Sequence, residues 1–130
     1  MIRARSHISP IFCCGESKEE REQGDAYKVI TQQLNLLLSN LDAEQIQQTI
    51  IAYEPVWAIG TGLTPTIEEI DETHRYIREH NDKLNKYKIL YGGSVKASNA
   101  KEITGLPNVD GALIGGASLK SEEFSKILED

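Results

Sequence analysis

The side chain best placed for chemistry is the carboxylate of Glu54. It follows the apolar, β-branched run Thr49 to Tyr53, which predicts a buried strand, and it precedes Pro55, which ends strand pairing. A carboxylate at the carboxyl end of a buried strand can be desolvated, which suits a general base acting on an acidic substrate proton. The stiff residues after Glu54, followed by Gly60 and Gly62, favour a rigid flap on flexible hinges that could lay backbone N–H groups over an anion.

Two further turns place consecutive glycines at the ends of predicted strands. Gly92 and Gly93 follow one strand, and Gly115 and Gly116 follow the next. Turns without side chains let N–H groups close around phosphate oxygens, and a helix dipole adds favourable potential. Paired glycines more often mark tight turns alone, just as an isolated Glu after a strand is usually a solvated rim residue. Two pairs on consecutive strands, after a flap, favour anion binding.

Several stretches together resemble one family, triosephosphate isomerase, in order and spacing, over about residues 10 to 128. They are Ile11-Phe-Cys-Cys-Gly-Glu-Ser17, Glu54-Pro-Val-Trp-Ala-Ile-Gly-Thr-Gly62, Tyr91-Gly-Gly-Ser-Val95 and Asp110-Gly-Ala-Leu-Ile-Gly-Gly-Ala-Ser-Leu119. The resemblance implies an α/β fold, the C-terminal half of a (β/α)8 TIM barrel, with four parallel βα units corresponding to units five to eight. Residues 1–130 would form a single partial domain with a ragged start at 1–7. A complete barrel has about 250 residues, and this chain has 130.

The resemblance also implies an activity, the interconversion of dihydroxyacetone phosphate and glyceraldehyde 3-phosphate, with Glu54 as the general base. It assigns the substrate phosphate to Gly60, Ser94, Gly115 and Gly116. It makes a lid loop of consecutive residues: Pro55, Val56, Trp57, Ala58, Ile59, Gly60, Thr61 and Gly62. It implies neither a cofactor nor a metal ion.

The family's remaining catalytic residues have no counterpart in these residues. They are an Asn, a Lys and a His that stabilise the enediolate, and this chain begins at what resembles the fifth unit. Because electrostatic stabilisation is usually the largest contribution to such catalysis, we expect the chain to be inactive alone and to need an N-terminal half-barrel. The family forms homodimers, but its dimer loops lie mostly in the other half. Two alternatives stay open: a non-catalytic phosphate-binding half-barrel and an inert truncated fragment.

Composition and charge exclude other classes of protein. The chain is 39% apolar and 26% charged, as is ordinary for a folded domain. Its formal charge of −6 disfavours nucleic-acid binding, which needs Lys and Arg to neutralise phosphates. No stretch approaches the roughly 18 apolar residues of a membrane span, and the start lacks an apolar signal region. We therefore expect a cytoplasmic protein without a membrane or nucleic-acid partner.

The cysteines and histidines predict no metal site. Cys13 and Cys14 are neighbours on a predicted strand, so their side chains should point to opposite faces, and we interpret them as reduced packing residues. His7, His74 and His80 do not form a metal-ligand pattern with them, and none follows a strand, where the family's His lies.

Alternating patterns predict four βα units. Strands are expected at 8–14, 49–53, 88–91 and 111–114. Helices are expected at 19–41, 42–48, 66–84 and 99–104, with a final capped helix from Ser121. Asp42 is expected to cap the second helix, and Thr66 begins a capping-box motif at the third.

Other side chains allow two interpretations. Glu16 is either a partner of the site or a solvated turn residue, and Tyr91 is either a core residue or a hydrogen-bond latch for the closed lid. Pro65 argues against the latch, because a proline at that hinge has no N–H to donate. Arg78 and Asp110 are expected to form an exposed ion pair worth about 0 to 1 kcal/mol, without a catalytic role.

Overall fold

A computed structural model describes residues 7–129. Within them, four short strands form one parallel sheet in the order β1-β2-β3-β4, so the predicted α/β fold of four parallel βα units is confirmed. The ragged start falls almost entirely outside the described residues. The strands are β1 (Ile11–Cys14), β2 (Ile50–Tyr53), β3 (Ile89–Tyr91) and β4 (Gly111–Ala112).

Helices separate the strands and cover one face of the sheet. Helix α2 packs on β1, α4 on β3 and α5 on β4. Two 3-10 turns lie at the carboxyl ends of strands, Val56–Ala58 after β2 and Gly116–Leu119 after β4. The helices in the described residues are α1 (Lys18–Glu22), α2 (Ala26–Asn40), α3 (Ala43–Gln47), α4 (Ile67–Glu79), α5 (Ala100–Thr104) and α6 (Ser121–Leu128).

Capping side chains fix where several helices begin. Thr66 and Glu69 form the predicted capping box of α4, and Asp42 caps α3 as expected. Ser17 forms a further box at α1, which the sequence analysis did not predict. The cap expected for the final helix is wrong, because α6 follows Lys120, which makes no side-chain cap hydrogen bond.

The single helix expected over 19–41 is wrong. It is divided into α1 and α2, because Gly24 takes a φ of +80°, a left-handed conformation that ends a helix and suits glycine. Helix α4 also ends at Glu79 rather than near 84. There Asn81 accepts hydrogen bonds from Lys83 and Leu84, which favours turns over a continued helix.

The core lies between the sheet and the helices. Strand register aligns Cys14 with Tyr53 and Tyr53 with Tyr91 on the helix-covered face. Cys13 points to the opposite face, as expected, but it is exposed and so is not the packing residue we predicted. Side chains that are at most 2% exposed come from both layers: Ile30, Leu34, Leu37, Ile51, Tyr53, Ile70, Ile77, Ile89, Tyr91 and Ile103.

Arg78 ties α4 to the amino ends of β3 and β4. Its Nη2 lies 2.7 Å from Asp110 Oδ2, and its guanidinium donates to the backbone oxygens of Asn85, Tyr87 and Asn108. The two side chains are only 18% and 25% exposed, so the expectation of an exposed pair is wrong. Partial burial raises the pKa of Asp110, but the hydrogen bonds from Arg78 and the Ile89 backbone N–H, together with the charges of Arg78 and Lys88, outweigh it and hold that pKa below its ordinary value.

Candidate active site

Glu54 lies at the carboxyl end of β2, where the sequence predicted it. Its backbone N–H donates to the Cys14 oxygen at 2.7 Å, which extends the pairing of β2 with β1 by one residue. The two chains are in close contact here, since a Cβ built on Gly15 would lie 1.7 Å from the Glu54 oxygen. Only glycine fits at position 15, and the half-buried Glu54 side chain begins from a rigid backbone.

Gly92 gives the Glu54 side chain its space. Its N–H donates to the Tyr53 oxygen at 2.8 Å, which brings the first turn after β3 against the end of β2. A Cβ on Gly92 would lie 2.5 Å from Glu54 Cγ and 3.1 Å from Oε1. We predicted the glycine pair as an anion-binding turn and missed this contact. The feature of the sequence that could have predicted this contact is a turn without side chains at the end of the strand next to the one that carries Glu54.

Cys13 is a second neighbour of Glu54 that the sequence analysis missed. Partial burial raises the pKa of the Cys13 thiol, and the charge of Glu54 and a hydrogen bond to it raise it further. The thiol is therefore protonated at neutral pH and available as a donor to the carboxylate. A protonated thiol does not compete with Glu54 as a base.

The amino-terminal part of the lid is held by Glu16. Val56 N–H donates to the Glu16 backbone oxygen at 3.0 Å, and the Trp57 indole Nε1–H donates to its carboxylate at 3.0 Å. Tyr53 OH donates to the same carboxylate, and Arg21 forms an ion pair with it. Glu16 is 0% exposed, so it is a partner of the site and not a solvated turn residue.

The carboxyl-terminal part of the lid depends on two glycines. Gly60 and Gly62 take φ values of +69° and +76°, a conformation that suits glycine. Thr61 Oγ1 closes the turn by donating to the Trp57 oxygen at 2.8 Å. Ser94 Oγ donates to the Ala58 oxygen at 2.7 Å, which joins the lid to the turn after β3. The lid is a folded loop with both ends attached.

The residues predicted to bind phosphate surround one cavity of about 500 Å³. Gly92, which contacts Glu54, also lines this cavity, although Glu54 itself does not. Lys96 and Lys120 line it as well and bring positive charge, while Glu123 adds one negative charge. Neither lysine was predicted, because each follows its glycine turn by several residues. The four predicted residues that the structure brings together are Gly60, Ser94, Gly115 and Gly116.

The amino-acid sequence is similar to that of one known family. Residues 2–130 match the family model for triosephosphate isomerase. The chain belongs to the triosephosphate isomerase family. Two similar relatives carry the name triosephosphate isomerase. The one from Francisella tularensis subsp. mediasiatica is 54% identical over 93% of this chain and 50% of its own length. The one from Rhizobium meliloti is 51% identical over 98% of this chain and 53% of its own length. The chain thus spans about half the length of the curated relatives it matches.

The latch considered for this triosephosphate isomerase-like lid is not formed. Tyr91 is 0% exposed, and within residues 7–129 its hydroxyl has no hydrogen-bond partner. Pro65 at the far hinge is buried and offers no N–H. Burial raises the pKa of Tyr91 to about 12, so the group stays a neutral phenol. Of the two interpretations of Tyr91, the structure supports the core residue.

None of the histidines in the described residues directly follows a strand. His74 is on α4, 0% exposed, with its ring centroid 5.8 Å from that of Tyr53. His80 is the C-cap of α4 and bonds to Asn35, and His7 precedes β1. Within residues 7–129, no group of His, Cys, Asp and Glu could hold a metal ion, and no helix is long and apolar enough to cross a membrane.

Proposed function

We propose that this chain supplies the base and the phosphate site of a triose-phosphate isomerase, with Glu54 as the general base. One observation supports this most strongly: Gly92 contacts the Glu54 side chain and also lines the cavity formed by Gly60, Ser94 and the Gly115 turn. A carboxylate and an anion cradle that share a wall suit a substrate whose acidic carbon and phosphate-bearing carbon flank one carbonyl group.

The chemistry follows from these positions. In dihydroxyacetone phosphate, Glu54 takes a proton from the carbon next to the carbonyl, and the electrons form an enediolate. The protonated Glu54 then returns the proton to the former carbonyl carbon while the hydroxyl proton passes from one enediolate oxygen to the other, which gives glyceraldehyde 3-phosphate. Gly60, Ser94, Gly115 and Gly116 hold the phosphate, and Lys96 and Lys120 add a favourable field. No redox change occurs, so no cofactor is required.

The lid that follows Glu54 excludes water from this reaction. Its residues are Pro55, Val56, Trp57, Ala58, Ile59, Gly60, Thr61 and Gly62. Gly60 and Gly62 hold its left-handed turns, and its tip at Ile59 and Gly60 lies at the cavity wall. A loop in this position isolates the enediolate from solvent protons, which would otherwise divert the intermediate.

The enediolate oxygen still needs an electrophile, and no histidine of the described residues follows a strand as the family's His does. We propose that the Asn, Lys and His of the family come from an N-terminal half-barrel outside these 130 residues, in the same polypeptide or in another. These residues would then be units five to eight of a barrel, working as a homodimer in the cytoplasm. Without that half, the enediolate is unstabilised and turnover is negligible.

The test is isomerase activity of the chain alone, and after co-folding with the N-terminal half of the Francisella tularensis relative. We expect activity only in the mixture, and we expect Glu54→Gln to lower kcat by about 10²- to 10⁴-fold, the usual contribution of a general base. Equal rates for wild type and Glu54→Gln in an active mixture would contradict the assignment of the base.

A second candidate function is phosphate binding without chemistry. It is favoured by one observation, namely that the glycine turns and the two lysines, Lys96 and Lys120, line the cavity whereas Glu54 does not. Titration of the isolated chain with inorganic phosphate and with dihydroxyacetone phosphate separates the possibilities. Binding without turnover in any mixture supports the phosphate-binding half-barrel, and neither binding nor turnover supports an inert truncated fragment.

A further inference from the structure

One guanidinium contacts a tryptophan of the lid and two carboxylates, one before the lid in sequence and one after it. Arg21, on α1, donates through Nη1 to Glu16 Oε1 at 3.1 Å and through Nη2 to Glu69 Oε1 at 2.6 Å. Its Cζ also lies 4.6 Å from the ring centroid of Trp57, within the range of a cation–π contact. Arg21 is 29% exposed, so all three contacts are made in a partly desolvated place.

The contact with Glu16 reaches the amino-terminal hinge. Glu16 is fully buried and accepts the Trp57 indole N–H, so Trp57 is held by hydrogen bonding to Glu16 and by stacking under Arg21. A buried carboxylate needs a compensating charge. In the part of the chain that the structure describes, Arg21 is the cation that forms an ion pair with Glu16.

The contact with Glu69 reaches the carboxyl-terminal hinge. Glu69 Oε2 accepts the backbone N–H of Thr66 at 2.8 Å, and Thr66 Oγ1 accepts the N–H of Glu69. This capping box sets where α4 begins, and α4 is the helix into which the chain runs after the lid. The other oxygen of the same carboxylate is the one that Arg21 binds.

We propose that Arg21 is a positioning residue that couples the two hinges of the lid, a role that rests on the proposed isomerase function. Each hinge is bound by one carboxylate, the first by Glu16 and the second by Glu69, and the planar guanidinium of Arg21 donates to both carboxylates. Lysine cannot replace it, since an ammonium has no second fixed N–H direction and no flat face for the indole. Without the guanidinium of Arg21, Trp57 is no longer connected to Glu69 on α4, so the two hinges of the lid no longer move together.

Trp57 makes the coupling measurable, because it is the only tryptophan in the chain. We expect Arg21→Met to shift its emission to longer wavelength and to raise its quenching by acrylamide. The matched control is Arg75→Met, which removes an exposed arginine of α4 that contacts neither hinge. Far-UV circular dichroism checks that each variant is folded.

Coupling itself is tested from the other hinge. Glu69→Gln keeps the capping box, which Gln also forms, but removes the charge that Arg21 binds. Although Glu69 is not bonded to Trp57, we expect this variant to raise the quenching of Trp57, while Glu68→Gln on the same helical turn leaves it unchanged. If Trp57 responds to Arg21→Met but not to Glu69→Gln, Arg21 holds one hinge only and the proposal fails.

These measurements use the chain without any catalysis, so they remain valid if the proposed isomerase function is wrong. If Arg21→Met does not fold, Arg21→Lys and Glu69→Gln replace it, with the same expected rise in quenching. In an active mixture with the N-terminal half, Arg21→Met should lower kcat/KM and Arg75→Met should not. An unchanged Trp57 signal in folded Arg21→Met, or wild-type quenching in Arg21→Lys, would overturn the inference.

Discussion

Acidification should destabilise this protein through one buried imidazole, His74. The ring is 0% exposed, and within residues 7–129 neither of its nitrogens has a hydrogen-bond partner. Burial is the main cause that lowers the pKa of His74 from 6.5 to about 4, and the charge of Arg78 also lowers this pKa. The backbone of Asn108 and the carboxylates of Asp71 and Asp110 raise the pKa, but by less. The folded protein therefore holds His74 neutral, whereas the unfolded chain binds a proton near pH 6.5.

The sign and size of the effect follow from proton linkage. Because the folded pKa lies below the unfolded one, stability is full above pH 6.5 and is lost as the pH falls from 6.5 towards 4. One unit of pKa corresponds to about 1.4 kcal/mol, so the free energy of unfolding should fall by about 3 kcal/mol at pH 4 through His74 alone. That is a large part of the 5 to 15 kcal/mol typical of a folded domain, although a half-barrel can have less.

Urea unfolding at several pH values measures this loss. His74→Phe keeps a planar ring beside Tyr53 but cannot bind a proton. Between pH 7 and 4 the free energy of unfolding of this variant should therefore fall by about 3 kcal/mol less than that of the wild type. His80→Gln, which changes a histidine that is not fully buried, should behave like wild type. Identical pH dependence in wild type and His74→Phe would show that His74 is not held neutral, and would refute the reasoning.

Two further predictions follow from close contacts. Gly92→Ala should place a methyl group 2.5 Å from Glu54 Cγ, so the Glu54 side chain must move. The kcat/KM of the completed enzyme should then fall by about 10²-fold, the effect expected of a misplacement of about 1 Å. The free energy of unfolding should fall by only about 1 kcal/mol. Arg78→Met should lower the free energy of urea unfolding by about 2 to 4 kcal/mol, because Asp110 loses its ion-pair partner and three backbone oxygens lose a donor. Wild-type kinetics in the first variant, or a loss below about 0.5 kcal/mol in the second, would contradict these contacts.

Much of the backbone was predictable because its signals are local. Alternating apolar runs predicted all four strands, and Thr66 and Asp42 predicted where two helices begin, since a cap needs only a residue three positions away. Gly24 lies inside the single helix expected over 19–41, although its left-handed φ divides that helix in two. Whether a glycine bends within a helix or ends it depends on what the next segment packs against.

The sequence by itself determined the class of fold, the family and the candidate base, because Glu54 and the glycine turns stand in fixed order beside their strands. Only the tertiary structure decided the partners of these residues. The burial of Glu16 could not be predicted, and neither could the ion pairs of Arg21 with Glu16 and with Glu69, which lies 48 positions further along the chain than Arg21. A side chain's charge partner depends on which helices pack together, and that packing is set by apolar contacts distant in sequence from the charges they enclose.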